Sequence, residues 1–333
     1  MVELTFDPAE ARAEEKQRDS RRASLGRLIL TDRFFKNFTR AAALLVLALL
    51  FGVILTLVEG SIPALKQFGI SFFWTEEWNP VKERFGALAP IYGTVVTSII
   101  AMLVAVPVGL GIAIFLTELC PQALRRPVGI AIELLAGIPS IIYGIWGLFV
   151  FAPFLQRYVQ PAIIDTLGNI PGIGALFAGP PYGIGVLTAG LILGIMVLPF
   201  IASITRDVFE TVPPVLKESA YGLGATTWEV VWKVVLPYTR AGVIGGVMLA
   251  LGRALGETMA VTFVIGNAHR ISASVLQPGT TISAAIANEF VEALQALHTS
   301  SLTALGLVLF IITFFVLACA RLLLASLNKR AGG

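Results

Sequence analysis

Residues 91–117 read IYGTVVTSIIAMLVAVPVGLGIAIFLT and carry no charged side chain. The hydrocarbon core of a membrane is crossed by about 20 apolar residues in a helix, and this stretch exceeds that length. It also lacks the alternation of apolar and polar residues that marks a strand of a membrane barrel. The stretch therefore predicts a helix that spans a membrane.

Five other stretches have the same apolar character, so we predict an all-α integral membrane protein with six spans. The predicted spans are 41–58, 91–117, 128–154, 183–205, 241–266 and 302–320. Charged residues occur only in the third, which contains Glu133, and in the fifth, which contains Arg253 and Glu257. Prolines inside spans two, three and four are expected to kink these helices, namely Pro107, Pro139 and Pro199.

The composition supports this class of protein. Hydrophobic residues make up 56% of the 333 residues and charged residues only 14%, whereas soluble domains carry about 25% charged residues. The charges concentrate in the first 40 residues, so we expect a charged tail at 1–40, a membrane domain at 41–325 and a short tail at 326–333. Such a tail is unlike a cleavable signal peptide, and the first span is expected to be retained.

The basic residues predict the orientation of the spans. If both termini are cytoplasmic, the segments on that side carry 18 lysines and arginines and the external segments carry 5. Cytoplasmic loops of membrane proteins are enriched in these residues, so we expect both termini and both tails to be cytoplasmic. The same rule accounts for the net charge of +3 and the pI near 8.9, and no nucleic acid is expected as a partner.

The side chains give no sign of an enzyme or a metal site. Cys120 and Cys319 are far apart in the sequence, and His269 and His298 lie outside the predicted spans. Neither H-E-x-x-H nor G-x-S-x-G occurs, and no two acidic residues share a span. We therefore predict no catalytic residue and no metal on this chain.

Two external stretches are candidates for the membrane surface. Residues 71–80 place aromatic side chains beside acidic ones, as is typical of the boundary between membrane and water. Residues 282–298 place five apolar side chains at helical spacing, namely Ile282, Ile286, Phe290, Ala293 and Leu297. This amphipathic helix would lie on the membrane, meet a partner or, as the plainer alternative, pack on the protein's own surface.

The predicted cytoplasmic loop at 206–240 has helical signals of its own. A proline pair at 213–214 can open a helix at Val215, and two glycines further on can close it. Thr226 and Glu229 form a capping box for a second short helix, which the proline at 237 is expected to stop. An apolar face would run along both helices, formed by Leu216, Ala220, Tyr221, Val230, Val231 and Val234. Such a face should dock on a partner or on the ends of the protein's own spans.

Within this loop, residues 218–237 read ESAYGLGATTWEVVWKVVLP. This segment resembles the loop signature of permeases of ATP-binding-cassette (ABC) importers, which reads Glu-Ala-Ala, three residues, Gly, nine residues, Ile, one residue, Leu-Pro. Both spacings match, with Ser219 in place of an alanine and Val234 in place of the isoleucine. In that family the loop forms coupling helices that sit in a groove of the ATPase subunit. The resemblance implies this role here for Glu218, Ser219, Ala220, Gly224, Leu236 and Pro237.

The chain has no nucleotide-binding loop of the form G-x-x-x-x-G-K-[ST]. It therefore lacks the backbone cradle that such a loop provides for nucleotide phosphates. If ATP drives the protein, the ATPase is a separate chain, and no cofactor is expected on this one.

Arg253 and Glu257 are four residues apart in the fifth predicted span, which would place them on one helix face about 6 Å apart. An arginine at the centre of a membrane helix costs about 2.5–3.5 kcal/mol on the insertion scale, so it needs a partner or a wet path. Two interpretations stay open. The pair forms an internal salt bridge, or the side chains line a translocation path in which Arg253 faces an anion.

The pair favours phosphate over sulfate as that anion. The planar fork of an arginine suits tetrahedral oxyanions. A neighbouring glutamate would repel fully deprotonated sulfate, whereas hydrogen phosphate keeps a proton that it can donate to the carboxylate. The hydroxyls of Thr258 and Ser140 are weaker candidates for the same path, because such groups more often join helices to one another.

Three further segments carry a closer resemblance. Residues 78–80 read WNP, residues 137–147 read GIPSIIYGIWG, and residues 252–267 read GRALGETMAVTFVIGN. They resemble the phosphate-specific transport family of ABC permeases, in particular the longer of its two permeases, and the likeness covers about 70–325. In that family the arginine and glutamate of this span are implicated in phosphate passage, which the resemblance carries to Arg253 and Glu257.

The resemblance also implies the location and the partners. The chain would lie in the bacterial inner membrane, surrounded by lipid. It would pair with a homologous second permease, two copies of an ATP-binding subunit and an extracytoplasmic phosphate-binding protein.

Two alternatives remain. The chain could be an ABC permease for another oxyanion, such as sulfate, molybdate or phosphonate, and competition with unlabelled anions would separate these. It could also be a stand-alone ion-coupled anion carrier, with Arg253 and Glu257 as a relay. That second alternative leaves the two-helix loop unexplained.

Overall fold

The computed structural model describes the backbone of residues 8–331 and the side chains of residues 32–325. Within these residues the chain is helical and forms no β-strand. Six segments are long and apolar enough to cross a membrane, namely Asp32–Phe73, Leu88–Leu119, Ser140–Leu167, Val186–Glu210, Thr227–Leu255 and Ala296–Ala325. The predicted all-α class and the six spans are therefore confirmed.

The helices of the described part are joined by connections of very different length, the longest of them at 69–87, 168–185 and 263–281. In chain order they are α1 (Pro8–Phe68), α2 (Leu88–Ile114), α3 (Gln122–Ala136), α4 (Ser140–Trp146), α5 (Ala152–Phe154), α6 (Gln160–Leu167), α7 (Val186–Glu210), α8 (Pro214–Gly222), α9 (Thr227–Val230), α10 (Leu236–Leu255), α11 (Met259–Thr262), α12 (Ile282–Glu289) and α13 (Ala296–Ala331). π-helical turns extend or join several of them, at Phe115–Leu119, Gly147–Phe151, Leu155–Val159 and Val231–Val235.

The chain divides into two units after Thr56. In the first unit, the described apolar side chains of α1 are exposed, such as Leu44 at 65% and Phe51 at 60%. A membrane helix presents such side chains to lipid or to a neighbouring chain. The predicted charged tail is helical from Pro8 onward. Residues 1–7 of that tail and residues 332–333 lie outside the described backbone.

The core of the second unit is the contact between α2 and α7. Gly109 of α2 lies against Ile201 of α7, and Gly194 of α7 lies against Ala101 of α2. Small residues let membrane helices approach closely, so that dispersion contacts along the two backbones stabilise the pair. Helix α10 packs on α7 in the same way, with Gly246 against the side chain of Ile204.

The third span differs from its prediction at 128–154. A break at 137–139 separates α3 from α4, and the spanning segment is Ser140–Leu167. Pro139 accounts for the break, because it has no N–H to donate and restricts the residue before it. Helix α3 has 15 residues, which reach only about 22 Å at a rise of 1.5 Å per residue. Pro107 and Pro199 lie inside α2 and α7, where kinks were expected.

The aromatic side chains of residues 71–80 are divided between buried and exposed positions. Phe72 and Phe85 are fully buried, and the partly buried Phe68 packs against them. Trp74, by contrast, is 74% exposed. Phe72, Phe73 and Trp78 therefore pack the segment that follows α1 into a cluster of the second unit that also contains Ile282 and Leu302.

The amphipathic helix predicted at 282–298 is two separate helices. Helix α12 ends at Glu289 and α13 begins at Ala296. Ile282, Ala284 and Ala285 are buried where α12 packs against α2 and α13. Packing on the protein's own surface, the plainer of the alternatives, is what the structure shows.

The carboxylate of Glu289 ties these external stretches together. It accepts hydrogen bonds from Nε1 of Trp78 at 2.7 Å, from Nε2 of His269 at 2.7 Å and from Nε2 of His298 at 2.9 Å. An ionised carboxylate only accepts, so both histidine rings carry a hydrogen on Nε2. Burial raises the pKa of Glu289, but the hydrogen bonds from His269, Trp78 and His298 lower it by more, and the pKa lies below its usual value of 4.5.

The substitution Gly93→Ala is expected to destabilise the protein, whereas Gly111→Ala on the same helix is not. A Cβ at Gly93 would overlap the backbone carbonyl of Thr280, and nothing lies near the Cβ position of Gly111. Overpacking of this kind costs about 1–3 kcal/mol. Thermal unfolding in detergent should show a lower Tm for the first variant and the wild-type Tm for the second. Equal Tm values for both variants would contradict the packing described at α2.

The substitution Glu289→Gln is expected to destabilise the protein in a pH-dependent way. Because the folded pKa of Glu289 is depressed, its ionisation stabilises the fold above its unfolded pKa, and this contribution is lost as pH falls through the folded value. At pH 7 we expect a loss of about 2 kcal/mol, typical of hydrogen bonds to a charged group. Melting curves of wild type and variant should converge only as the pH falls below the usual carboxyl pKa of 4.5, because the folded pKa of Glu289 lies under it. Glu292→Gln, which changes an exposed carboxylate nearby, is the control, and a gap that stays constant with pH would refute the assignment.

Candidate functional site

The loop between α7 and α10 forms two helices, as predicted. Helix α8 begins at Pro214 and ends at Gly222, and Gly224 follows with a φ of +86°. Glycine adopts this conformation without the steric cost that a side chain adds, so Gly224 forms the turn between the helices. The capping box is also present. The Thr226 N–H donates to the Glu229 carboxylate at 3.1 Å, and the Glu229 N–H donates to the Thr226 hydroxyl at 3.4 Å.

Pro237 does not stop the second helix, and that prediction is wrong. The π turn Val231–Val235 joins α9 to α10, and the spanning segment runs from Thr227 to Leu255 without interruption. The turn closes with the Leu236 N–H donating to the Val231 carbonyl. Pro237 then lies in the first turn of α10, where a missing N–H costs little. The second helix of the loop and the fifth span are consequently one continuous helical rod from Thr227 to Leu255.

The apolar face predicted for the loop is divided between two environments. Val230 and Val231 are buried, and Val230 packs with Ala113 of α2 and Phe209 of α7. Other apolar side chains of the loop remain exposed, namely Val215, Leu216, Tyr221, Leu223, Trp228 and Trp232. An exposed apolar surface of this kind marks a contact with a partner.

The residues of the loop signature follow the same division. Glu218, Ser219, Gly224 and Pro237 are exposed. Ala220 and Leu236 are partly buried, and both pack against the cluster that contains Ala113 and Phe209. The signature therefore contains side chains that join the loop to the spans and side chains that are free to meet another molecule.

Arg253 and Glu257 do not share one helix, contrary to the prediction. Helix α10 ends at Leu255, and Glu257 lies in the connection before α11. The Glu257 carboxylate accepts a hydrogen bond from the N–H of Ala260 at 3.2 Å, as a residue capping α11 would. No ion pair joins Arg253 to Glu257 or to any other side chain within 32–325, and Arg253 is exposed. The internal salt bridge, one of the two open interpretations, is therefore absent.

Ser140 and Thr258 lie at the starts of two short helices that pack together. Gly144 of α4 lies against the backbone of Met259 and Ala260 in α11. Both short helices share a core with Ala250 and Ala254 on the helix that carries Arg253. Ser140 is partly buried, and the Thr258 hydroxyl donates to the Gly256 carbonyl at 3.4 Å. The structure thus brings together the elements that carry all four predicted path residues.

This arrangement can bind an anion. An arginine that is not neutralised by a carboxylate keeps its full charge and its five donors for a ligand. The break after Leu255 also frees backbone groups that an unbroken helix would use internally. The described residues contain no group of three histidine, cysteine or acidic side chains that could hold a metal ion.

One ion pair beside the loop was not predicted from the sequence. Lys217 of α8 and Glu118 of the π turn that ends the second span approach to 2.5 Å between Nζ and Oε1. The two residues are 99 positions apart, and no local pattern pairs side chains at that separation. The only signal available was that Glu118 directly follows the long uncharged stretch 91–117.

The sequence matches a known protein family. Residues 105–332 match the model of the binding-protein-dependent transport system inner membrane component. The phosphate transport system permease protein PstC of Mesorhizobium japonicum is 69% identical over 95% of this chain and 96% of its own. The protein of the same name in Pasteurella multocida is 57% identical over 91% of this chain and 94% of its own.

Solved structures share the fold at low sequence identity. The structure of a bacterial alginate ABC transporter in complex with an alginate-bound periplasmic protein matches 83% of this chain and 92% of its own, with a TM-score of 0.53 and 19% identity. An inward-facing MetNI methionine ABC transporter matches 73% of this chain and 94% of its own, with a TM-score of 0.51 and 18% identity. With its six spans, this is a multi-pass protein of the bacterial inner membrane. The chain belongs to the PstC family of phosphate transport system permease proteins, among the inner membrane components of binding-protein-dependent transport systems.

Proposed function

We propose that this chain is a membrane permease subunit of an ATP-driven phosphate importer. The observation that carries this proposal is the identity of 57–69% to proteins named as phosphate transport permeases, along more than nine-tenths of both chains. Sulfate, molybdate and phosphonate remain the alternative substrates that the transport test below addresses.

The exposure of Arg253, which forms no ion pair within residues 32–325, supports an anionic substrate. A membrane arginine without a carboxylate partner is costly unless it faces water or an anion. Arg253 is exposed in the isolated chain and lies one turn or less from the break that Glu257 caps. In the proposed path Arg253 binds the phosphate oxygens, Glu257 accepts a hydrogen bond from the protonated oxygen, and the Thr258 and Ser140 hydroxyls lie alongside.

The loop supports an ATPase as partner. Helix α8 exposes Val215, Leu216 and Leu223 beside the signature residue Glu218, and the chain has no nucleotide-binding loop of its own. In the proposed complex this surface docks on an ATP-binding subunit in the cytoplasm, with one copy under this chain and one under a homologous second permease. A phosphate-binding protein delivers the substrate on the opposite side, and this chain itself holds no cofactor.

Helix α9 of the loop continues into the fifth span. This continuity suggests how ATP hydrolysis on a partner changes the path of the substrate. A movement of the ATPase displaces α8 and α9, and the rod from Thr227 to Leu255 carries that displacement to Arg253. The path then opens to one side of the membrane at a time. The work done by this chain is the positioning of charge and the exclusion of water, without any covalent step.

The transport prediction concerns Arg253 and Glu257. Arg253→Gln should lower phosphate uptake by about tenfold or more, because hydrogen bonds to a charged ligand contribute about 1.5–3 kcal/mol. Glu257→Gln should also lower uptake. Its amide oxygen can still accept from the Ala260 N–H, so the loss would report the charge rather than the cap. The measurement is uptake of labelled phosphate at micromolar concentration in cells lacking the native gene, with excess sulfate as competitor.

The matched control is Arg84→Gln, which removes a charge from an exposed ion pair with Glu77. Its uptake should equal that of the wild type at equal membrane levels. Normal uptake by both path variants would exclude Arg253 and Glu257 from the path. Inhibition of wild-type uptake by sulfate would shift the assignment to another oxyanion.

The coupling prediction compares two glycines of the loop. Gly224→Ala places a side chain at a φ of +86°, whereas Gly222→Ala does not, and no atom lies within 4 Å of either Cβ position. The left-handed conformation costs about 1–2 kcal/mol for a residue with a Cβ. Binding of the ATP-binding subunit to the purified permease should therefore weaken by about fivefold for Gly224→Ala only. Equal affinity for both variants would show that the turn between the helices does not position the docking surface.

A further inference from the structure

The ion pair between Lys217 and Glu118 is the most shielded of the lysine and arginine pairs in the described chain. Its side chains are 19% and 6% exposed, and Nζ lies 2.5 Å from Oε1. In each of the other pairs of this kind at least one side chain is 40% exposed or more. A pair so withdrawn from water is screened little by salt and solvent, so it acts as a firm link between the elements that carry it.

These elements are the loop helix and the end of the second span. Helix α8 has no buried residue, and Ala220 is its contact with the apolar cluster below. The helix therefore depends on few apolar contacts to hold its place. Lys217 reaches from it to the π turn Phe115–Leu119, at the end of the segment Leu88–Leu119.

Lys217 and the signature residue Glu218 point to different surroundings. Successive residues of a helix are rotated by about 100° around its axis. Lys217 is shielded against Glu118, whereas Glu218 is exposed. Within one turn of α8, the side chain of Lys217 is thus bonded to the second span, and the neighbouring side chain of Glu218 is exposed and can contact a partner.

The second span can pass a displacement on to the core. The Arg125 guanidinium at the start of α3 donates to the Thr117 carbonyl at 2.9 Å, so the turn that holds Glu118 is also tied to α3. Further along the span, α2 and α7 are in direct contact through Gly109, Gly190 and Gly194. Packed helices transmit strain because they have little room to deform.

We propose that the Lys217–Glu118 pair is a tether through which α8 moves the second span, in addition to the continuous rod that leads from α9 into the fifth span. The proposal rests on the proposed function, in which α8 docks on an ATP-binding subunit. The two residues are positioning residues that touch neither phosphate nor ATP. Their loss should separate ATP hydrolysis from transport.

The test uses the complete transporter with all its subunits, reconstituted into proteoliposomes. Phosphate uptake and ATP hydrolysis are measured in the same vesicles for Lys217→Met, Glu118→Gln and the charge-swapped double variant Lys217→Glu with Glu118→Lys. We expect the phosphate moved per ATP hydrolysed to fall by about tenfold in each single variant, a typical size for the coupling between two sites. The double variant should recover at least part of the ratio, because it restores an ion pair between the same two positions.

Two controls make the outcome specific. Arg84→Gln, which breaks an exposed pair elsewhere, should leave the ratio unchanged. Co-purification of the ATP-binding subunit shows whether each variant still assembles. If a single variant loses assembly, the result supports the tether only if the charge-swapped double variant assembles again. Single variants with the wild-type ratio, or losses that the swap does not reverse, would overturn the proposal. Absence of ATP-dependent phosphate uptake in the wild type would instead overturn the proposed function.

Discussion

Inside a bilayer no water is available to backbone N–H and C=O groups, so each of them needs a partner within the protein. This constraint makes the spans helical and decides where they can be interrupted. At the break after Leu255, the Glu257 carboxylate accepts the N–H of Ala260, and α4 packs against the exposed turn. At the break before Ser140, the Tyr143 hydroxyl donates to the Leu135 carbonyl at the end of α3. Each interruption thus has hydrogen bonds of its own, and the predicted path residues lie beside them.

The number of spans could be predicted because length and uniform hydropathy are local properties of the sequence, but the third and fifth spans lie at 140–167 and 227–255 and not at the predicted 128–154 and 241–266. The segment found at Leu88–Leu119 includes the whole of the predicted stretch 91–117. The capping box of Thr226 and Glu229 was predictable for the same reason, since it joins residues three positions apart. The loop resembles ABC importer permeases, and residues 78–80, 137–147 and 252–267 resemble the phosphate permeases among them. The comparison with curated relatives confirms that family.

The remaining features depend on contacts that no local pattern encodes. Helix α10 ends at Leu255 with Gly256 as its cap, close to where α4 packs against α11, and the sequence Gly-Glu-Thr carries no helix-breaking proline there. Pro237 is a strong stop signal by propensity. The helix nevertheless continues through it, because the π turn Val231–Val235 leads directly into α10. The Lys217–Glu118 pair joins positions 99 residues apart, which only the folded chain brings together.

The π turn at Val231–Val235 has a consequence for the angular position of every side chain after it. Such a turn holds one residue more than an α-helical turn, and each residue of an α-helix advances by about 100° around the axis. A helical wheel drawn from Thr227 with a constant period would therefore place Arg253 about 100° from its true direction. Two π turns in the third span, at Gly147–Phe151 and Leu155–Val159, accumulate the same offset twice. The positions of these extra residues therefore help to decide which side chains of the two spans share a helix face. The apolar pattern alone does not decide it.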